Sequence, residues 1–214
     1  KYYLMTEEDI INSWDKNRDE AAGAGTHMHL QIELFYNKLP HENNTKEFEM
    51  FKKYHLEHLH LTPYRTEMMV YHEPLRLTGS LDMVYKDLSD DKYVLVDWKR
   101  TKEISKNNNY GKFGKKCLSH VKDTNFYHYS LQLSLYKRMF EEFYDMEIKD
   151  AFLIVLHPNQ DDYLKITVDD MQKEVTLMFH ERKKQLMDIC KVYNDDLKDY
   201  NIDYYNLFPK KYFY

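Results

Sequence analysis

Cysteine is nearly missing from this chain of 214 residues, which has only Cys117 and Cys190. Two thiols cannot supply a disulfide framework, a four-cysteine zinc site or a four-cysteine iron–sulfur cluster. That usage suits an intracellular, reducing compartment. Glycine and proline are almost as scarce, five of each, which argues against a loop-rich or sandwich fold and for long helices around a sheet. No apolar run approaches the roughly eighteen residues that a membrane span requires. No secretory signal opens the chain, so a membrane partner is not expected. Basic charge is also short: the net charge is −5, which as an average disfavours a nucleic-acid partner.

What is present changes that last inference. Apolar residues make up 43% of the chain, enough for one well-buried domain. Between Lys99 and Asp123 eight basic residues stand against two acidic ones, a local net of +6 that leaves −11 for the remainder. Arg100, Lys102, Lys112, Lys115 and Lys116 belong to this segment, whose field attracts phosphates. The chain begins at Lys1 and reads as a piece of a longer polypeptide.

Periodicity orders the elements. Residues 6–21 open with a capping threonine and acidic residues, the signature of a helix start, and the Ala-Ala-Gly-Ala-Gly run at 21–25 is expected to end that helix. A second helix follows over 25–35, and a third over 45–60 is expected to stop before Pro63. Period-two patterning then predicts strands at 64–72, 75–86 and 92–98 with short connections, hence an antiparallel meander. A long helix at 123–144, a buried strand at 150–157, a further strand at 162–168 and a last helix at 169–193 complete the pattern. The expectation is a single α/β domain: a helical subregion at 1–62, an α/β core at 63–168, and a C-terminal helix with an aromatic tail at 169–214.

Chemistry-bearing residues fall at telling places on these elements. In "GTHMHLQIELF" the spacings of three and four put Thr26, His29 and Glu33 on one helix face. On the second strand Leu77, Gly79, Leu81 and Met83 are expected on one face, with Asp82 on the other beside Ser80 and Thr78. On the third strand Asp97 and Lys99 share a face while Trp98 takes the opposite one. Two aspartates on neighbouring strands suit a hard divalent cation. The lysine suits orientation of a water or neutralisation of a phosphate. Gln132 and Tyr136 lie four apart on the long helix. "GKFGKKC" at 111–117 lacks the spacing of a phosphate-binding loop, so no nucleotide cofactor is expected. His55, His58 and His60 lack a fourth ligand for zinc.

Taken in chain order, Gly25-Thr26-x-x-His29-x-x-x-Glu33, Gly79-x-x-Asp82, Asp97-Trp98-Lys99 and Gln132-x-x-x-Tyr136 resemble the PD-(D/E)XK nuclease superfamily, in its RecB-like branch with the Q-x-x-x-Y motif. The likeness spans residues 25–157 and implies a restriction-endonuclease-like core, a mixed central sheet flanked by helices. It implies that His29, Asp82, Asp97 and the Trp98 carbonyl hold one or two Mg²⁺ or Mn²⁺ ions, with Glu33 a further candidate. Lys99 becomes the catalytic lysine, and Gln132 and Tyr136 orient the site or the nucleic-acid backbone. Glu67 matches a frequent acidic position without an assigned role. Imidazole among oxygen ligands favours Mn²⁺. The implied activity is metal-dependent hydrolysis of DNA, exonuclease-like or on single strands, within a replication, repair or viral polypeptide. The competing expectations are an RNA endonuclease of the cap-snatching type and an inactive nucleic-acid-binding domain.

Overall fold

The computed structural model describes residues 2–42 and 44–197; the aromatic tail at 198–214 lies outside the described residues. Helix α1 spans Glu7–Tyr36 and opens with a capping box in which Thr6 and Asp9 satisfy each other's backbone N–H groups. The expected break at 21–25 is absent, and one continuous helix replaces two. The alternating alanines carry the highest helix propensity, and each glycine costs only about 1 kcal/mol. Two isolated glycines therefore weaken the helix without ending it. Helix α2, Lys46–Glu57, is capped by Thr45.

Strand β1, Leu61–His72, starts earlier than expected and contains Pro63. It is an edge strand, where a missing N–H is tolerated, and its register slips between Pro63 and Arg65. Strands β2 (Leu77–Asp87) and β3 (Tyr93–Lys99) continue the expected antiparallel meander. The basic segment and helix α3 (Asn125–Phe143) then cross over to β4 (Ile148–Val155), which pairs parallel with β3. Strand β5 (Leu164–Thr167) closes the opposite edge, and helix α4 (Gln172–Leu197) packs on α3. The result is a mixed five-stranded sheet in the order β1-β2-β3-β4-β5, flanked by helices and preceded by a helical region.

Two apolar cores sandwich the sheet. Met28 and Ile32 of α1 and Phe48, Phe51 and Tyr54 of α2 pack on Val94, Val96 and Trp98 of β3. Leu133, Tyr136, Met139 and Phe140 of α3 pack on Leu95 from the opposite face. Strict alternation along β3 makes both cores possible. Strand β2 obeys it only in part. Met83 and Tyr85 face the α1 side and Val84 the α3 side, but Leu81 also lies on the α3 side. Met83 therefore does not share a face with Leu81, contrary to expectation. The turnover falls at Asp82 and, across the ladder, at Glu67, whose φ of 43° is left-handed.

Candidate active site

That turnover builds the site. The β2–β3 ladder ends at Met83↔Val96, whereas β3 stays paired with β4 as far as Lys99↔Val155. Beyond Met83 the β1–β2 hairpin swings away as a separate arm and leaves one edge of β3 without its main-chain partner. The Asp82 side chain fills the gap, its Oδ2 accepting the Trp98 backbone N–H at 2.7 Å. In a strand the N–H and C=O of one residue point to the same neighbour. The Trp98 carbonyl thus faces the same gap, while the Lys99 carbonyl bonds Leu156 on the β4 side.

Helix α1 closes the other side. His29 Nδ1 stands 3.5 Å from Asp82 Oδ2. Ligand atoms of His29, Glu67 and Asp82 all lie within 4.8 Å of one another. Glu67 reaches them because its left-handed backbone turns the side chain inward, where its Oε2 accepts a hydrogen bond from Ser80 Oγ at 3.1 Å. An open cleft of about 480 Å³ leads to the group, lined by Gly25, Thr26, His29, Leu30, Glu33 and Glu67. The expected helix face thus meets the site, with Thr26 and Glu33 on the cleft wall.

Asp97 and Lys99 stand apart from that trio. Regular alternation keeps both on the α3 face of β3, so Asp97 is not a member of the tight cluster that the aspartate pair was expected to form. Asp97 is 2% exposed, and its Oδ2 lies 2.5 Å from Lys99 Nζ. Lys99 Nζ in turn sits 4.6 Å from the centre of the Tyr129 ring on α3, a cation–π support that the sequence did not announce. Burial, reinforced by repulsion from Asp82, pushes the Asp97 carboxyl up to about 6, against the pull of Lys99. Burial pulls Lys99 down, but the Asp97 charge and hydrogen bond outweigh it, so the ammonium is held above its ordinary value.

The same negative surplus acts on the trio. Burial lowers His29, yet the hydrogen bond and charge of Asp82, with Asp97 behind, raise it overall. Glu67 is raised by burial and by Asp82, with Ser80 opposing. Crowded carboxylates that draw a proton onto an imidazole form a donor set suited to a divalent cation, one nitrogen beside oxygens. Apart from the close Lys99 ammonium, no described donor reaches the buried Asp97 Oδ2.

The remaining candidates are structural neighbours of the site or lie on its approach. Tyr136 is 7% exposed within the α3-side core, and Gln132 Nε2 donates weakly to its hydroxyl at 3.4 Å. The Tyr136 ring lies against Gly79, where a Cβ would come within 2.4 Å of Cε1. This contact explains the motif glycine: it lets α3 brace the arm that carries Asp82. Arg100, expected to bind nucleic acid, is tied to Glu47 of α2 at 2.8 Å, and Lys116 pairs with Glu181 of α4. Lys102, Lys112 and Lys115 pair with no carboxylate among the described residues.

No family model and no curated protein matches the chain. Solved structures match in outline. That of SSO0001 aligns with a TM-score of 0.33 and 11% identity over 64% of this chain. The alignment takes in 55% of that protein, so the chain spans about half its length. No helix of the described residues is long and apolar enough to cross a membrane.

Proposed function

We propose that this chain is a metal-dependent nuclease of the PD-(D/E)XK type that hydrolyses DNA phosphodiester bonds, with a preference for single strands or ends. The observation that carries this reading is the convergence of His29, Glu67 and Asp82 within 4.8 Å at the point where β2 leaves β3, next to the Asp97–Lys99 pair. A buried carboxylate tied to a lysine also ends β2, at Asp87 and Lys149, but only the Asp97–Lys99 pair adjoins an imidazole and two further carboxylates.

His29, Glu67 and Asp82 would hold Mg²⁺ or Mn²⁺, with the Trp98 carbonyl facing the same gap. Such an ion supplies Lewis-acid polarisation of a phosphoryl oxygen and a more acidic water. The chain's own groups then do the positioning. Lys99, kept protonated and aimed by Asp97 and Tyr129, offers fixed positive charge to a phosphate as negative charge develops on it. Asp97, ionising only near 6, sets the lysine's orientation. The Asp82–Trp98 bond fixes one carboxylate oxygen and leaves the other for a ligand.

The test is cleavage of an end-labelled single-stranded oligonucleotide in Mn²⁺, beside a chelator control and a closed circular strand. Metal-dependent loss of the linear strand is expected, abolished by Asp82→Asn and reduced at least about a hundredfold by Lys99→Met. Cutting of the linear strand alone marks an end-dependent exonuclease, and cutting of both marks an endonuclease. Full activity in Asp97→Ala would refute the site assignment. Cleavage of RNA but not DNA would move the substrate to the cap-snatching class.

A further inference from the structure

Strand β1, which brings Glu67 to the cleft, carries an exposed apolar pair further along. Met69 and Tyr71 follow Glu67 at two-residue spacing and are 65% and 61% exposed. Val70 between them and Met68 before them are buried against α3, so alternation turns Met69 and Tyr71 to the opposite face of the arm. Their cross-strand neighbours Ser80 and Thr78 are small, and both hydroxyls are turned into the arm, to Glu67 and to the Val70 carbonyl. The surface is therefore apolar and poor in free donors. The ring of Tyr71 is held edge-on by Tyr144 at 6.2 Å, and the Tyr144 hydroxyl accepts the Tyr71 backbone N–H at 3.0 Å.

Charge narrows the occupant. On this side the cleft offers the carboxylates of Glu33 and Glu67, and its lining includes no lysine or arginine. Such a wall accepts a phosphate only through a bound cation, whereas an uncharged aromatic plane needs none. Across the cleft Leu30, 46% exposed, adds a second apolar contact.

We infer that Met69 and Tyr71 form a ledge on which an unpaired nucleobase beside the scissile phosphate stacks, so that the site selects single-stranded over duplex nucleic acid. The inference rests on the nuclease reading of the neighbouring trio. Stacking requires a base plane freed from its partner strand, and a duplex presents none along its length.

The test is binding of a single-stranded oligothymidylate carrying one 2-aminopurine, measured in chelator and again in Ca²⁺, with the matching duplex as comparison. Tyr71→Ala is expected to weaken single-strand binding about tenfold and to lose the quenching of 2-aminopurine. Tyr71→Phe keeps both, and duplex affinity stays the same in all three proteins. Equal single-strand affinity and quenching in wild type and Tyr71→Ala would overturn the ledge, as would a wild type that binds no single strand. Self-association of the wild type that Tyr71→Ala abolishes would also overturn it, making the patch a contact between copies of this chain. Cleavage by the wild type without any Tyr71 effect sinks the ledge alone. A Tyr71-dependent binding difference without metal-dependent cleavage sinks only the nuclease reading.

Discussion

Asp97 holds its proton up to a pH of about 6 in the folded protein, against 3.8 for an ordinary aspartate, because burial and Asp82 together outweigh Lys99. The unfolded chain releases that proton earlier. The contribution of Asp97 to stability is therefore best below the unfolded value and is lost as pH rises through the folded one. In chelator, Asp97→Asn, which also removes the partner of Lys99, is expected to gain stability relative to wild type as pH rises from 4 to above 6. Urea unfolding at both pH values measures it, and a difference that does not change with pH would show that the ionised carboxylate is not a burden. Residues of this kind were legible in the sequence: His29, Asp82, Asp97 and Lys99 stand on elements whose periodicity is local. The part played by Glu67 was not, because its left-handed backbone arises where two paired strands turn over together. The separation of Asp97 from the trio has the same origin, since it follows from β2 abandoning an alternation that β3 keeps.

Among the elements, the arm and α3 are locked by one glycine. A methyl group at position 79 would meet Cε1, the hydroxyl oxygen and Cζ of Tyr136 at 2.4, 2.7 and 2.9 Å, so the ring would have to shift within the α3-side core. Gly79→Ala is expected to cost about 1–3 kcal/mol. Combined with Tyr136→Leu it should cost less than the sum of the two single changes, since the clash is then removed. A denaturation cycle over the four proteins checks this, and strict additivity would mean that the two residues do not bear on each other. The Gly-x-x-Asp and Gln-x-x-x-Tyr stretches were each visible in the chain, but their mutual contact belongs to packing and leaves no local trace. Helix α1 shows the converse: the Ala-Ala-Gly-Ala-Gly run looked like punctuation, yet its alanines keep the helix continuous through two isolated glycines.

For the whole molecule, half of the cluster of positive charge between Lys99 and Asp123 is spent within the fold. Lys99, Arg100, Lys106 and Lys116 are engaged by Asp97, Glu47, Asp169 and Glu181. These pairs root the crossover segment on α2, on the start of α4 and on the sheet. Lys102, Lys112, Lys115 and Lys122, the last hydrogen-bonded to the neutral Asn107, pair with no carboxylate among the described residues and, on the nuclease reading, are the ones left for phosphates. At about 0.7 counterions per single-strand phosphate contact, the logarithm of affinity should fall with the logarithm of salt at a slope of about −3. Titrations across a range of KCl concentrations check this, and a slope steeper than about −4 would mean that the internal pairs open on binding. The α/β class, the meander and the crossover helix were legible from pattern alone. Which cations are free was not, because ion pairing joins residues far apart in the chain.

The hydrogen bond from the Trp98 backbone to Asp82 gives the protein an internal gauge. A core amide that would ordinarily point to a main-chain carbonyl reports here on a carboxylate at the candidate metal site. Charge withdrawn from Asp82 by a cation is charge withdrawn from that amide's acceptor. The proton resonance of one buried residue thus follows the electrostatic state of the whole cleft, whatever molecule occupies it.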